Sequence, residues 1–306
     1  MLMKMTEEMQ QMNKQAFYEA NGYVVFRNLV PLDLIDNVVD EYSKSIVPSN
    51  SPFFRQNTYT YDRNKLTEFG YVKQSFLDIH DYKKFPEFSK RAKDIFCSDE
   101  ILNALREIKG AESFNLMQGM LFDANTETQP HQEWWYLDTV PNGHLIIAWI
   151  ALEDIDERAG RFYVIPQSTD NLDFRNDTPN LTHSQWLGRI RQYVDANQDK
   201  IVAPDLKKGD VLFLNSFLVH GSLPTQDASF SRKSLTAHYI PSQYEFGNLF
   251  KTKPVTYQTY KGVKYYKAHP DYTAWNQLKL KASKYVYKRP LLHKTLRKLS
   301  LRQWNE

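Results

Sequence analysis

The chain has 306 residues, of which 42% are hydrophobic and 14% aromatic, so it can bury a substantial core. This composition excludes a disordered chain and a small scaffold held together by disulfides. The single cysteine, Cys97, cannot form an intramolecular disulfide, and the start MLMKMTEEMQQ has no apolar run typical of a signal peptide. A cytoplasmic location is therefore predicted. No membrane-spanning helix is expected, because the longest apolar stretch, residues 145–152, is far shorter than the roughly 20 residues required.

The formal net charge of +3 is unevenly distributed along the chain. Residues 251–306 contain fourteen Lys and Arg and two acids, a net charge of +12, which leaves −9 for residues 1–250. We therefore divide the chain into one domain over residues 1–245 and a basic extension over residues 246–306. The two parts are expected to face different chemical surroundings.

The first third of the chain is predicted to be mainly helical. Helical spacing and capping residues predict four helices, at residues 9–20, 31–46, 83–95 and 98–108. Gly22 ends the first helix before a short apolar strand at residues 23–26, and Ser98 is the N-cap of the fourth helix. Residues 48–75 lack periodicity and are predicted to form a long surface loop, of a kind that often serves as a lid.

From residue 113 onward the pattern changes to short apolar runs typical of β-strands. These strands are predicted at residues 113–122, 144–152, 161–165, 211–215 and 233–240. Turn residues at Asn142-Gly143, Gly160 and Gly209-Asp210 separate them, and one helix near residues 182–196 interrupts them. Strands of this length and spacing favour a β-sandwich or barrel over a doubly wound sheet.

A His-x-Glu pair, His131 and Glu133, is the first candidate metal site. On an extended strand, two side chains that are two residues apart project from the same face, so this imidazole and carboxylate could share a metal. Such a pair also arises by chance. The chain contains a second one, His269-Pro270-Asp271, in which Pro270 disfavours a central strand, and we interpret it as a turn.

A second cluster about 90 residues later strengthens the first site. In GDVLFLNSFLVHGS a Gly-Asp turn precedes an apolar strand, and His220 follows that strand. Arg232 begins another predicted strand, with Ser234 on the same face. Two histidines and one carboxylate on one face of a metal are typical of non-haem Fe(II) oxygenases. A guanidinium beside a hydroxyl suits the binding of a carboxylate.

The order and spacing of these residues make the chain resemble the phytanoyl-CoA dioxygenase family over roughly residues 15–242. The resemblance begins with NGYVVFRNLVP and continues through QPHQEWWYL, AWIALEDIDERAGRFYVIPQST and the HGS…SRKS region. It implies an α+β fold whose mainly β core is a double-stranded β-helix, a cupin-like jelly roll, over about residues 113–242. N-terminal helices and a basic helical C-terminal extension are expected to flank this core.

The resemblance also implies roles for single residues. His131, Glu133 and His220 are similar to the family's catalytic iron ligands. The family usually has Asp at the position of Glu133, and the additional methylene lengthens the reach of the carboxylate. A halogenase is disfavoured, since that chemistry replaces the carboxylate with a small residue.

Co-substrate and substrate contacts follow from the same resemblance. Arg232 and Ser234 match the Arg-x-Ser that binds the far carboxylate of 2-oxoglutarate, and Gln118 and Ser222 resemble further contacts to it. Three aromatic residues are expected to shape the substrate pocket. These are Trp149, which matches a pocket-wall tryptophan of the family, and Trp134 and Phe217, which flank the ligands.

The resemblance implies an Fe(II)- and 2-oxoglutarate-dependent dioxygenase. It would use O2 to hydroxylate a C–H bond of a small or carrier-linked metabolite, with release of succinate and CO2. Two alternatives stay open. A cupin-like metal-dependent sugar isomerase or epimerase would use a similar barrel without needing Arg232 and Ser234 as a clamp. A non-catalytic relative would instead be recruited to a surface through its basic tail.

The remaining histidines lack ligand spacing to the cluster and are interpreted as structural or surface residues. They are His80, His144, His183, His238 and His293. Among them His238 shares the face of Arg232 on the predicted strand, which leaves open a position near the pocket.

The tail, residues 280–306, is predicted to form a basic amphipathic helix. Leu291, Leu292, Leu296 and Leu299 recur at helical spacing among Lys and Arg residues, and Trp304 lies near the end. Such a helix suits an anionic membrane surface or an acidic partner, which would make the protein peripheral at the membrane. Alternatively, its leucines dock on the domain and its charges are solvated. Nucleic acid is not an expected partner, because no binding module accompanies the charge.

Overall fold

A computed structural model describes residues 13–168, 182–248 and 251–287, together with residues 289 and 292. In these parts of the chain, α-helices run over Lys14–Asn21 (α1), Leu32–Glu41 (α2), Pro86–Phe96 (α3), Asp99–Lys109 (α4), His183–Ala196 (α5) and Ala274–Tyr287 (α6). The first half contributes the strands Tyr23–Phe26 (β1), Phe53–Arg55 (β2), Thr60–Asp62 (β3), Phe76–Leu77 (β4), Phe114–Phe122 (β5), Asp138–Val140 (β6) and Ile146–Ala151 (β7). The second half contributes Phe162–Val164 (β8), Val211–Asn215 (β9), His220–Ser222 (β10), Ser234–Pro241 (β11), Glu245–Asn248 (β12), Lys251–Thr252 (β13), Tyr257–Tyr260 (β14) and Val263–Tyr266 (β15).

The helices begin and end at the capping residues that the sequence supplies. Ser98 Oγ accepts a hydrogen bond from Ile101 N at 3.3 Å, and this cap starts α4 as predicted. Gly22 ends α1 with a φ of 79°, a left-handed conformation that glycine adopts without a steric penalty. Helix α3 begins at Pro86, three residues later than predicted, because proline suits the first helical position.

A single large sheet organises the fold. Its strands follow the order β1-β9-β7-β11-β5-β4-β2-β3, and β15 also pairs with β5 and with β14. The five predicted strand segments all form strands here, as β5, β7, β8, β9 and β11. Strand β11 is central, and every one of its residues is buried. This architecture confirms the predicted mixed fold with a double-stranded β-helix core.

The register of β11 places one row of side chains on a common face. Thr236 is opposite Met120 on β5 and Trp149 on β7. His238 is opposite Gln118 and Ile147 in the same way. Because residues two apart on a strand share a face, all of these side chains point to the same side of the sheet. That side forms a cavity wall.

One of two smaller sheets faces this side of the large sheet. Strands β8 and β10 pair antiparallel, with His220 opposite Val164, and they provide the facing wall of the cavity. Strands β6, β12 and β13 form the other small sheet. The cavity therefore lies between the two layers of the β-helix.

The predicted surface loop at residues 48–75 differs from expectation, since it contains strands β2 and β3 and a buried arginine. Strand β2 joins the large sheet where Arg55 pairs with Phe76. The Arg55 side chain donates hydrogen bonds to Asp62 O and to Asn64 Oδ1, the latter at 2.6 Å. Strands of three residues are too short to show an alternating pattern, so no periodicity indicated them.

The predicted boundary at residue 245 lies inside a paired strand. It falls at the first residue of β12, which pairs with β6, and β15 then joins the large sheet where Tyr265 is opposite Leu116. The excess of positive charge after residue 250 does not mark a separate unit. In β15, Val263 and Tyr265 are buried and alternate with an exposed and a half-buried residue. The predicted tail leucines and Trp304 lie outside the described residues, except Leu292. In the described chain no helix is both long and apolar enough to cross a membrane.

Candidate metal centre

Three side chains from two segments converge at one end of the cavity. His131 and His220 form an antiparallel bridge in which each backbone N–H donates to the other carbonyl, at 3.0 and 3.1 Å. Glu133 begins a short 3-10 turn, so it does not lie on the extended strand that its spacing predicted. The backbone between them is nevertheless extended, because Gln132 has φ −120° and ψ 141°, and both side chains reach the same place.

The donor atoms of these three residues are close enough to hold one cation. Glu133 Oε2 lies 3.5 Å from His131 Nε2 and 3.9 Å from His220 Nε2. Donors that are each about 2.1 Å from one ion lie at most about 4.2 Å apart, so both separations are compatible with a shared metal. All three donor atoms lie within 4.8 Å of one another.

Backbone carbonyls fix how the two histidines present their rings. His131 Nδ1 lies 2.8 Å from Gln129 O, and His220 Nδ1 lies 2.9 Å from Leu218 O. Because a carbonyl oxygen only accepts, each Nδ1 carries the proton and donates it. The lone pair of each Nε2 is then free to bind a metal, as is usual for histidine ligands held by an outer hydrogen bond.

The electrostatics of the site also favour a bound cation. Burial lowers the pKa of His220 to about 3, and repulsion from His131 adds to this effect, so the ring is neutral at physiological pH. Burial alone would raise the pKa of Glu133, but interactions with His238 and His131 outweigh it and hold that pKa well below its usual range. The centre thus offers two imidazole nitrogens and one carboxylate, the donor set of the facial triad of non-haem Fe(II) oxygenases.

The cavity above the metal donors has a volume of about 470 Å³. The large sheet provides one wall, through Gln118, Met120, Ile147, Trp149, Thr236 and His238. The small sheet provides Phe162, whose ring stacks on His220 with centroids 5.5 Å apart. Apolar side chains such as Met120, Trp149 and Phe162 therefore surround the donors together with polar groups from both walls.

Arg232 lies in the same cavity, and its guanidinium is held in place by two acceptors. Its Nη1 donates to Gly160 O at 3.0 Å and to Ser222 Oγ at 2.9 Å. Burial lowers the Arg232 pKa to about 10, which leaves the side chain positively charged at neutral pH. Arg232 Nε and Ser234 Oγ are buried and have no hydrogen-bond partner among the described residues. Since buried polar groups are normally paired, a bound carboxylate fits here.

The structure does not bring every predicted pocket residue to the cavity. Gln118, Trp149 and Ser222 line it. Trp134 and Phe217 are not among its lining residues, and both belong to a second hydrophobic cluster that contains Trp186. Trp134 follows Glu133 in the 3-10 turn and packs against Trp186 of α5, with ring centroids 6.0 Å apart. Ser234, two residues before Thr236 on β11, is fully buried and is not itself among the lining residues.

Some cavity residues were not predicted to belong to the site. His238 is fully buried on β11 with its Nε2 3.6 Å from Glu133 Oε1, and its alternation with Arg232 was the signal for this position. His183, at the start of α5, also lines the cavity and shares a 2.8 Å hydrogen bond with the Tyr136 hydroxyl. Its spacing from the other residues carries no signal, since a long connection intervenes.

The double-stranded β-helix and the His, Glu and His donor set beside a carboxylate site define the class of 2-oxoglutarate-dependent non-haem iron oxygenases. In sequence, residues 18–234 of the chain match the protein family that is described as phytanoyl-CoA dioxygenase. The chain therefore belongs to the phytanoyl-CoA dioxygenase family, which confirms the resemblance seen in the sequence.

Individual relatives agree with this assignment. The peroxisomal phytanoyl-CoA dioxygenase of Bos taurus is 25% identical over 253 residues, which cover 77% of this chain and 70% of that protein. A phytanoyl-CoA dioxygenase domain-containing protein 1 homolog of Dictyostelium discoideum is 28% identical and covers 78% of this chain and 92% of its own length. The epimerase SnoN, solved in complex with Fe3+, alpha ketoglutarate and nogalamycin RO, has a TM-score of 0.56 at 15% identity, with 82% of this chain and 96% of that chain covered. This structural likeness shows the shared fold.

Proposed function

We propose that the protein is a cytoplasmic hydroxylase that inserts one oxygen atom of O2 into a C–H bond of a small or carrier-linked metabolite. The other oxygen atom enters 2-oxoglutarate, which is converted to succinate and CO2. The observation that carries this proposal is the placement of Arg232, a fixed and buried cation with an unpaired Nε, in the same cavity as the three metal donors.

Each part of the proposal assigns a task to residues of this chain. His131, Glu133 and His220 would hold Fe(II), which when bound supplies the activation of dioxygen. Arg232 and Ser234 would bind the far carboxylate of 2-oxoglutarate, and Ser222 orients the guanidinium. With three protein donors, a bound Fe(II) would keep positions open to small molecules in the cavity.

The apolar walls would exclude water from the reacting groups. Trp149 and Phe162 face one another across this region, with ring centroids 5.7 Å apart. Water exclusion strengthens the electrostatic interactions of Arg232 and Glu133 and prevents side reactions.

One part of the cavity lining is polar. Gln56, Asn57 and Tyr59, from the segment predicted as a lid, belong to it together with residues 126–129. These side chains offer mainly amide and hydroxyl groups. The proposed substrate therefore carries hydrogen-bonding groups that meet this part of the lining, and it presents an aliphatic C–H bond to the metal donors.

Anaerobic titration tests the cofactor part of the proposal. Addition of Fe(II) and then 2-oxoglutarate should produce a visible charge-transfer absorption band, and His131→Ala should abolish it. His144→Ala is the matched control, because the His144 ring stacks on Tyr244 with centroids 4.0 Å apart and does not line the cavity. A folded, iron-loaded protein without the band would contradict the co-substrate assignment.

Mass spectrometry of the product tests the reaction type. Succinate release should first be screened against fractionated cell metabolites, and the stimulating fraction then analysed. Hydroxylation adds one oxygen atom to the substrate, whereas an epimerisation leaves its mass unchanged. A product of unchanged mass, formed with succinate release, would reject hydroxylation while keeping the oxygenase class.

A further inference from the structure

Helix α6 exposes an apolar face that the described residues leave uncovered. The exposed fractions are 62% for Trp275, 56% for Leu278 and 55% for Tyr285, among the largest for hydrophobic side chains in the described chain. Isolated exposed apolar residues are ordinary, but three large ones on one helix are a patch that suggests an interaction site.

These side chains lie on one side of α6. Positions 275, 278, 282 and 285 recur at helical spacing, and each turn of the helix advances by about 3.6 residues, so the four form a continuous stripe. Near the start of the helix, another side is attached to the domain. There the Asn276 amide donates to His269 O and Asp271 O, both at 2.7 Å. The helix is thus held in place with its apolar stripe outward.

Lysines border the apolar stripe on both sides. Lys279 and Lys281 are both exposed, and the ammonium of Lys279 lies 5.3 Å from the centroid of the Trp275 ring. Helix α6 contains no acidic residue. The face therefore combines aromatic and aliphatic side chains with a positive rim, the composition typical of helices that lie in the plane of a membrane interface.

We propose that α6 binds the surface of an anionic lipid bilayer, with Trp275, Leu278 and Tyr285 inserted at the level of the headgroups. Tryptophan and tyrosine suit this region because one part of the ring is apolar and the other can hydrogen-bond to water. Lys279 and Lys281 contact lipid phosphates or carboxylates at the rim. This inference does not depend on the proposed reaction.

A second copy of the chain is a poorer occupant of the same face. Pairing of two α6 helices through this stripe would bring the lysine rims of both copies together, and like charges repel at such distances. An anionic lipid surface instead complements the rim along its whole length. The net charge of +12 over residues 251–306 acts in the same direction.

Sedimentation of the full chain with vesicles tests the proposal. Binding should occur with phosphatidylglycerol-containing vesicles at low salt and should fall with rising salt and with pure phosphatidylcholine. Each lysine removed, as Lys279→Gln or Lys281→Gln, should weaken binding by about fivefold. Lys44→Gln is the matched control, an exposed lysine outside α6 that removes the same charge.

The apolar stripe needs a separate pair of variants. Trp275→Ala with Leu278→Ala should abolish sedimentation with vesicles, whereas Phe69→Ala, at an exposed aromatic residue elsewhere, should leave it unchanged. Wild-type fluorescence should shift to the blue on binding, and the shift should disappear in Trp275→Phe. Unchanged circular dichroism and thermal melting would show that the variants are folded.

Three results would overturn the proposal. The first is a wild-type chain that does not sediment with anionic vesicles at low salt. The second is sedimentation of the α6 variants at the wild-type level while removal of residues 288–306 alone abolishes binding. A monomer–dimer equilibrium that is lost in Trp275→Ala, without any vesicle binding, would assign the face to self-association.

Discussion

His238 Nε2 lies 3.6 Å from Glu133 Oε1, while Glu133 Oε2 faces the two histidines of the metal centre. The two oxygens of one carboxylate thus have different neighbours. Both ring nitrogens of His238 are buried and lack a hydrogen-bond partner among the described residues. A small closing movement would let His238 donate to Oε1 and hold Oε2 towards the metal. This contact suits a glutamate, whose longer side chain needs more restraint than that of aspartate.

Replacement of His238 should weaken metal binding without removing a ligand. Outer-sphere partners of metal ligands contribute about 10- to 100-fold in affinity, so His238→Ala should raise the dissociation constant for Fe(II) or Co(II) by about that factor. Anaerobic titration would measure it. Thr236→Val, two residues earlier on the same face of β11, is the control and should retain wild-type affinity. Equal affinities for His238→Ala and the wild type would rule out a positioning role for His238.

Arg232 should control 2-oxoglutarate binding separately from metal binding. Loss of a charged hydrogen bond costs about 1.5–3 kcal/mol, so Arg232→Gln should weaken 2-oxoglutarate binding by about 10- to 100-fold. Arg232→Lys should restore little of it, because an ammonium cannot reproduce the geometry of the guanidinium. Calorimetry with metal-loaded protein would measure both.

The control for Arg232 is an arginine outside the cavity. Arg158→Lys changes a side chain paired with Asp156 at 2.8 Å and should leave 2-oxoglutarate binding unchanged. The affinity for the metal should be the same in Arg232→Gln, Arg232→Lys and Arg158→Lys. If Arg232→Gln bound 2-oxoglutarate like the wild type, the carboxylate site would have to lie elsewhere.

The five predicted strands could be found from the sequence because each is a continuous apolar run. The site residues could be found because their order and spacing along the chain form a recognisable motif. The placement of Phe217 could not be predicted, since it lies in the turn between β9 and β10, where no strand alternation sets the direction of a side chain. Strands β14 and β15 were missed for another reason. They lie within residues 246–306, which the excess of lysine over the whole segment marked as a basic extension, although Val263 and Tyr265 pack inward.

The protein should become less stable as the pH falls, because of a histidine outside the metal centre. Burial lowers the pKa of His80 to about 4, and the ring hydrogen-bonds to Tyr266 O at 2.8 Å. An unfolded histidine has a pKa of about 6.5, so between pH 6.5 and 4 the unfolded chain binds the extra proton and the folded chain does not. The stabilisation is present above pH 6.5 and is lost as the pH falls towards 4.

His80 should therefore contribute about 2 kcal/mol of the stability lost between pH 7 and pH 5. Urea unfolding at both pH values would measure the loss. In His80→Gln the loss should be smaller by that amount, although the variant is less stable at pH 7. An unchanged pH dependence in His80→Gln would show that this ring does not remain neutral in the folded state.

Gly160 should be required for the position of Arg232 as well as for folding. Its φ is 80°, and a Cβ there would lie 2.3 Å from Asn125 Nδ2 and 2.5 Å from Leu223 O. Its carbonyl accepts the hydrogen bond from Arg232 Nη1. Gly160→Ala must therefore shift the backbone, and we expect a loss of stability above the roughly 1 kcal/mol that positive φ alone costs.

Gly70→Ala separates the two causes. Gly70 has a similar φ of 86°, but a Cβ there would meet nothing within 4 Å, so this variant should show the conformational cost alone. Weaker 2-oxoglutarate binding is expected only in Gly160→Ala, because only there does the displaced carbonyl release the guanidinium. Denaturant unfolding and calorimetry on both variants provide the comparison. Equal stability losses in the two variants would mean that the loop around Gly160 yields without strain, and Arg232 would then be held mainly by Ser222.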